Sequence, residues 1–474
     1  MAAEASSNKP LALALGCLAV GSAALYGATY VPFGPHPSAP PIGLRLVTYP
    51  VLYLTYFAAV YVVWRERERA HGRLLSGLVL GSALLFRGLV LSGPAPLNND
   101  AWRYLWEGRV VTEGFNPYAA PPGDPVYDGL RAKLQQAGDP LFSRLPPRLN
   151  RVRSVYGPLA TGLFVIPHLT PLDRILCLRL IATLFDVGTV LVLMALLRGL
   201  GRASALALIY AWNPVCLSSF ADRAQVDAPM TFLIALAVYL LLRDRPGWAG
   251  VAFGAALLTK LSPLWLVFPL LRLGRVRFAA PLVALMALGA LPFLLAGSGS
   301  LSGFREFSLH WHNTDSLFAV LLWLLAPLRG TVSPDRLARF IVTVAAPAYA
   351  LWRTFRKGGA DADWLLRTCA AIAAAGLLLS PVVHPWYTAH LLVFLVFAPS
   401  PGLLLLSAGT MSWFLRFWQP PAGSLGARIV ARLAAYQDPW RWPAYVPVYA
   451  LLIWERVRRR GAAGAARPAK LPCP

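Results

Sequence analysis

The chain has 474 residues, 57% of them hydrophobic and only 14% charged, with a mean hydropathy of +0.55. Soluble domains carry about a quarter charged residues, so this composition excludes a water-soluble domain or a disordered chain. The charge is lopsided, 44 Lys+Arg against 21 Asp+Glu for a net +23, a balance that in a soluble protein would suggest nucleic acid. Here it matters first where the arginines lie relative to the apolar runs.

A bilayer core needs roughly 20 mostly apolar residues per helix. By that ruler, spans are expected at 10–31, 45–63, 74–93, 174–197, 203–221, 226–242, 277–297, 339–355, 364–382, 385–399, 401–417 and 442–456. The first run lacks a small-residue cleavage site and reads as a retained helix. The stretch 247–272 is broken by Lys260 and Pro263 and reads as one long helix or two short ones. Tyr156 to Pro171 contains Pro158, Pro167 and Pro171 and is expected to lie on, or dip into, the outer face. Five scattered cysteines (Cys17, Cys177, Cys216, Cys369, Cys473) suggest neither a disulfide framework nor a zinc site.

Short loops rich in Lys and Arg stay cytoplasmic. Arg65/Arg67/Arg69/Arg73, Arg198/Arg202, Arg243/Arg245, Arg272/Arg275/Arg277, Arg353/Arg356/Lys357 and Arg456/Arg458/Arg459/Arg460 can all share that side if 247–272 crosses twice or dips and returns. The expected fold is an all-α polytopic transmembrane bundle of about 12–14 spans, one transmembrane domain over 1–474. Both termini are then cytoplasmic and the tail 457–474 is basic. The remaining polar segments fall on the outer side: the large loop 94–172, the Asp222–Asp227 corner, the Lys260 turn, the second loop 298–338, the His384–Tyr387 corner and 418–441. No nucleic-acid partner is expected, since much of the positive charge is orientation charge.

The large loop reads Asn98-Asn99-Asp100-Ala101-Trp102-Arg103-Tyr104-Leu105-Trp106-Glu107-Gly108-Arg109, then Gly114-Phe115-Asn116-Pro117-Tyr118. An acid a few residues from a helix exit, ringed by Trp and Tyr, sits at headgroup depth, where a carboxylate can accept a hydroxyl proton or hold a metal. Equally, Asp100 is suited to capping a short surface helix.

This pattern resembles the GT-C membrane glycosyltransferases, in particular bacterial polyprenyl-phosphate-mannose-type enzymes and the glycosyltransferase family 87 group. Further motifs resemble theirs in order. They are Tyr156-Gly157-Pro158-Leu159, with Gly157 where proline is usual, and Trp212-Asn213-Pro214. Gln225-Val226-Asp227-Ala228 follows, with Gln225 where histidine is usual, then Thr259-Lys260-Leu261-Ser262-Pro263 and Ser380-Pro381-Val382-Val383-His384-Pro385-Trp386-Tyr387. The likeness covers roughly 75–400. It implies a transferase that takes one sugar from a polyprenyl-phosphate donor, passes it to a lipid or glycan acceptor and inverts the anomeric centre, with Asp100 aligned to the family's essential acid. Trp102 stands where a second acid is common, so a D-x-D metal clamp is absent. No metal ligand is expected, and a divalent cation stays an open alternative.

A glycosyl phosphate carries a good leaving group, so the chemistry requires a base for the acceptor and cations or donors for the departing phosphate. Asp100 is the expected base. Lys260, a point charge suited to phosphate or a snorkelling interfacial lysine, is a phosphate candidate together with Arg223, His310 and His312. The two histidines at i and i+2 share a face only on a strand or irregular loop, which disfavours a common zinc. Trp102, Tyr104, Asn116, Tyr118, Asp227, His384 and Tyr387 are candidates for sugar or acceptor binding. Asp227 also suits a helix N-cap, and Trp386 and Tyr387 suit an interfacial belt. Asp186, costly in mid-span, is expected to pair with Arg179 in a structural role. Two rival classes remain: a flippase or transporter of lipid-linked sugar, and an oligosaccharide ligase or polymerase.

Overall fold

The computed structural model describes residues 9–31, 42–94, 99–356, 358–417, 423–424 and 441–465. Asn98, most of the expected outer segment 418–441, the end of the basic tail and Cys473 lie outside the described residues. Within them the chain is a helical bundle with no strand, only an isolated bridge between Asn313 and Val382.

Among the described residues, six helices are long and apolar enough to cross a membrane: Lys9–Tyr30, Ile42–Arg65, Arg73–Leu91, Arg174–Gly199, Leu264–Leu295 and Ala362–Leu379. The pair Ser204–Ala211 and Pro214–Asp222, bent by 57°, makes a seventh if it is one span. Five shorter apolar helices follow: Pro158–His168, Asp227–Leu242, Pro246–Thr259, Leu317–Gly330 and Pro401–Leu415. The apolar runs that predict 12–14 spans therefore resolve into fewer full-length helices. An apolar run counts residues, whereas a span needs an unbroken hydrogen-bond ladder, and proline with a capping residue restarts the ladder. At Trp212-Asn213-Pro214, for example, the Asn213 side chain accepts from the Val215 N–H and Pro214 opens the next helix. Residues 385–399 likewise form only a short turn and the helix Ala389–Leu395, whose residues are all buried.

Residues 247–272 form a pair, the alternative under which the six basic clusters can share one side. Helix Pro246–Thr259 ends at Lys260 and is followed by a segment ending at Arg275, where φ 50° and ψ −145° break the helix. Beyond that break the chain runs back alongside. A Cβ on Gly250 would meet the Phe278 carbonyl at 2.2 Å, and one on Gly289 would meet Leu258 at 2.3 Å. Residues 278 to 289 thus climb in step with 250 to 258, so the segment before Arg275 must descend. Pro158–His168, about 16 Å by helical rise, is too short for a core of about 30 Å.

Asp186 does not pair with Arg179. Helical side chains tilt toward the N-terminus, which sends the Arg179 guanidinium away from a residue two turns further on. Arg179 instead donates to the carbonyls of Val90, Gly93 and Ala221 at 2.6–2.8 Å, tying the end of Arg73–Leu91 to the bend before Asp222. The partner of Asp186 is Arg87, at 2.8 Å, with the Tyr210 hydroxyl donating to the other oxygen at 2.8 Å.

Two glycines set how closely the large loop 94–172 sits on the bundle. A Cβ on Gly108 would fall 1.9 Å from the Phe164 carbonyl oxygen, and one on Gly157 would fall 2.0 Å from that of Leu258. The Gly157 N–H also donates to the Thr259 carbonyl at 3.2 Å, one residue before Lys260. Because the obstacle is backbone, Gly157→Ala is expected to cost about 1–3 kcal/mol, as overpacking does. The measurement is the thermal midpoint of the purified protein; an unchanged midpoint would contradict this packing.

Candidate active site

Asp100 lies in the first turn of helix Asn99–Thr112. The helix already begins at Asn99, so the carboxylate is not the cap; in the first turn it still favours the positive end of the helix dipole. This helix is buried nearly all round, from Arg103 to Gly108 without a break, Tyr104, Trp106 and Glu107 included. The Arg103 guanidinium donates to Glu107 at 2.7 Å and to the carbonyls of Leu149 and Val152, and the Ser154 hydroxyl donates to Glu107 at 2.6 Å. Burial pushes the Glu107 carboxyl up, against the pull of Arg103 and Ser154. This buried brace holds the 149–156 segment on the helix and sets Tyr156 edge-on to Tyr104 at 5.0 Å.

Around Asp100 the fold brings together motifs more than 100 residues apart. The Gln225 side-chain amide donates to Asp100 Oδ2 at 3.2 Å, and the Tyr104 hydroxyl donates to the Gln225 carbonyl oxygen at 3.0 Å. Two residues on, Asp227 receives Lys260 Nζ on both oxygens, at 2.9 and 3.0 Å. Asp227 is the first helical residue of Asp227–Leu242, behind Val226 at the cap position, so it is not the cap, and both its oxygens take Lys260. The same Nζ lies 3.8 Å from the centre of the Tyr387 ring, within cation–π range. His384 stacks on Trp386 at 4.5 Å and meets Tyr387 edge-on. The Asn313 amide donates to His384 Nδ1 at 2.9 Å, which assigns the imidazole proton to Nε2. Asn313 is itself fixed by Trp413 Nε1 and by backbone pairing to Pro381 and Val383.

Asp100 is part-exposed yet set deep in the protein. Burial raises its carboxyl above the usual carboxylate range, while the Gln225 hydrogen bond and the charges of Lys260, Arg223 and Arg148 pull the other way. Asp227 is fully buried and paired. Among the described residues no group of three or more His, Cys, Asp or Glu gathers as a metal site.

Of the residues named from sequence, Asp100, Tyr104, Asp227, Lys260, His384 and Tyr387 thus fall into one contiguous cluster. Arg223 acts on Asp100 electrostatically and lies over the Phe414 ring at 4.3 Å. Trp102 is part-buried beneath the Arg144 guanidinium. The others have different partners. Asn116 donates to the Pro292 carbonyl and accepts from the Tyr118 N–H, while Tyr118 donates to the Tyr156 carbonyl and packs on Phe293 at 4.0 Å; both tie the loop to a helix end. Exposed His310 pairs with Glu306, and His312 with Asp335 and Arg339, all in or beside the second loop.

Sequence reasoning passed over Gln225 as a departure from motif, although its place two residues before Asp227 was a usable signal. Arg148 carried no such signal, because only the folded loop brings it toward Asp100. The pair Arg45–Asp222, 2.5 Å apart and buried, was also missed.

The bundle and its buried, charge-paired cluster define the architecture of a multi-pass membrane enzyme. Residues 155–381, just under half the chain, match the family model described as glycosyltransferase family 87. The resemblance read from the motifs is therefore shown, and the protein is a membrane glycosyltransferase. The matched segment contains Tyr156, Gln225, Asp227 and Lys260; Asp100 precedes it and His384 to Tyr387 follow it. No curated protein matches the chain.

Proposed function

We propose that the protein transfers a single hexose, mannose by resemblance, from a polyprenyl-phosphate donor to a hydroxyl of a lipid or glycan acceptor. The reaction inverts the anomeric centre at the outer face of the bacterial cytoplasmic membrane. The observation that carries this reading is the juxtaposition of Asp100, oriented by Gln225, with the Asp227–Lys260 pair over Tyr387.

In this mechanism Asp100 takes the acceptor hydroxyl proton as the new C–O bond forms at the anomeric carbon. The bond to the phosphate oxygen breaks, and its electron pair leaves with the phosphate. An ammonium has three N–H donors; Lys260 gives two to Asp227, and the third is directed to the phosphate as its charge grows. Asp227 holds the ammonium in place, and Tyr387 excludes water from one side of it. A cavity of about 300 Å³, lined by Arg45, Tyr49, Tyr53, Ser218, Met411 and Phe414, adjoins Arg223 through Phe414. An apolar slot beside two arginines supports a substrate that joins a hydrocarbon chain to an anion.

The test is incubation with a panel of polyprenyl-phosphate sugars and mass analysis of the product. One hexose added per acceptor is the expected result. Transfer of a preassembled glycan would favour a ligase, and lipid movement with no transfer would favour a flippase.

Because burial places the Asp100 carboxyl above the usual carboxylate range, the acid limb of kcat/KM is expected there too, with activity lost as pH falls through it. Lys260 favours the ionised form, so Lys260→Gln is expected to move that limb to higher pH and to raise the donor KM. It also leaves Asp227 buried without its partner, a cost avoided by pairing it with Asp227→Asn. The double variant also removes the opposing charge of Asp227, so it is read through donor binding: a donor KM equal to that of wild type would remove Lys260 from the mechanism.

A further inference from the structure

Helix Pro246–Thr259 carries Lys260 at one end, and its 14 residues rise about 21 Å. Gly247 is near the other end, and a Cβ there would lie 3.8 Å from the Arg277 carbonyl. Arg277 is therefore at the end of the bundle away from the Asp100 cluster. There the chain reverses at Arg275, a non-glycine residue held at φ 50°. Such a backbone is costly for a side chain with a Cβ, and it presents Arg275, Val276 and Arg277 outward, all exposed.

A second arginine cluster meets this tip. Arg272 donates to the Thr354 carbonyl and lies over the Trp364 ring at 4.6 Å. These contacts bring it to the end of the helix that carries Arg353, over the Phe355 ring at 5.9 Å. Arg356 is one turn on from Arg353 and within its electrostatic reach. Among the described residues, no carboxylate lies within ion-pair distance of any of these guanidiniums. The two nearby acids are engaged elsewhere: Asp361 accepts from the Trp364 N–H at 2.7 Å, and Asp363 pairs with Arg202 at 2.6 Å. Trp352 and Phe355 stand exposed at the same helix end, 56% and 64%, with Arg356 over the Trp352 ring.

We propose that this corner, formed by Arg272, Arg353 and Arg356 with Arg275 and Arg277 at its rim, binds the phosphate headgroup of an anionic glycerophospholipid. Guanidiniums offer forked donors that match phosphate oxygens, and basic pockets between membrane helices are where such headgroups bind. The exposed Trp352 and Phe355 lie against the acyl chains, which is why the ligand is a lipid and not free phosphate. The site is separate from sugar transfer and does not depend on the reading of Asp100.

The test uses the full-length protein in detergent and counts retained lipid by native mass spectrometry after addition of phosphatidylglycerol or phosphatidylcholine. Wild type is expected to retain phosphatidylglycerol preferentially. Each guanidinium near a membrane surface contributes roughly a fivefold preference, so R353Q and R356Q should each lower retention by about that factor. R65Q/R67Q, at a different basic loop, should leave retention unchanged, and R353K should restore part of it. The proposal fails if R353Q/R356Q retains phosphatidylglycerol as wild type does. It also fails if R65Q/R67Q loses as much, which would indicate general surface charge. Equal displacement by inorganic phosphate at matched ionic strength would overturn the lipid assignment.

Discussion

Asp100→Asn is expected to lower sugar transfer by about 10²–10⁴-fold, the range that a positioned general base contributes. The substitution keeps the size of the side chain and can still accept from Gln225, so the fold and the Asp227–Lys260 pair should persist. Asn cannot take the acceptor proton, and it carries no charge to offset developing cationic character at the anomeric carbon. The loss should therefore appear in kcat, with donor binding little changed, and the acid limb of the pH profile should vanish. A flippase would still move lipid with Asn at this position. If Asp100→Asn transfers sugar at the wild-type rate, Asp100 is not the base and the proposed mechanism fails.

The largest expected stability effect lies elsewhere. Arg87→Met would leave Asp186, completely buried, with only the Tyr210 hydroxyl for a partner. Removing one member of a buried ion pair typically costs about 3–5 kcal/mol, because the remaining charge keeps its desolvation penalty. The lost guanidinium also abandons the carbonyls of Ala83 and Ala211, which it reaches at 2.9 Å. Folded yield and thermal midpoint should both fall. Arg87→Met with Asp186→Asn should recover much of the loss, since no uncompensated charge remains. If the double variant instead loses the sum of what Arg87→Met and Asp186→Asn each lose alone, the two side chains act independently and the pair does not hold these helices.

The contrast between these two sites shows what sequence can and cannot convey. Asp100 was legible because its surroundings are local: Trp102, Tyr104 and Trp106 follow it within two turns. Asp186 was legible as an oddity, an acid within an apolar run, but its partner was not. Reading the same helix for a counter-charge produced Arg179, when the Cβ tilt sends that side chain the other way. Arg87 is the same kind of oddity on a neighbouring helix, and nothing short of helix packing says which two oddities meet. Asn116 and Tyr118 sit in a motif as polar and aromatic as the one around Asp100, yet they bind the loop to a helix end. A motif records which residues occur together and does not distinguish the residue that meets a substrate from the one that holds the loop in place.

From composition and apolar periodicity the sequence alone determined a helical membrane bundle, because burying backbone polar groups in lipid leaves an apolar chain few alternatives. Charge and proline placement also marked Lys260 and Tyr156 to Pro171 as points where a span is interrupted, while leaving open whether 247–272 is one helix or two. The tertiary structure decided how many runs stay unbroken helices and which charges neutralise one another. It also decided that Gln225, Asp227, Lys260 and Tyr387 converge beside Asp100. Those outcomes depend on distances between residues more than 100 positions apart, set by side-chain packing and by close approaches such as Gly157 against Leu258, where the space for one Cβ settles the arrangement.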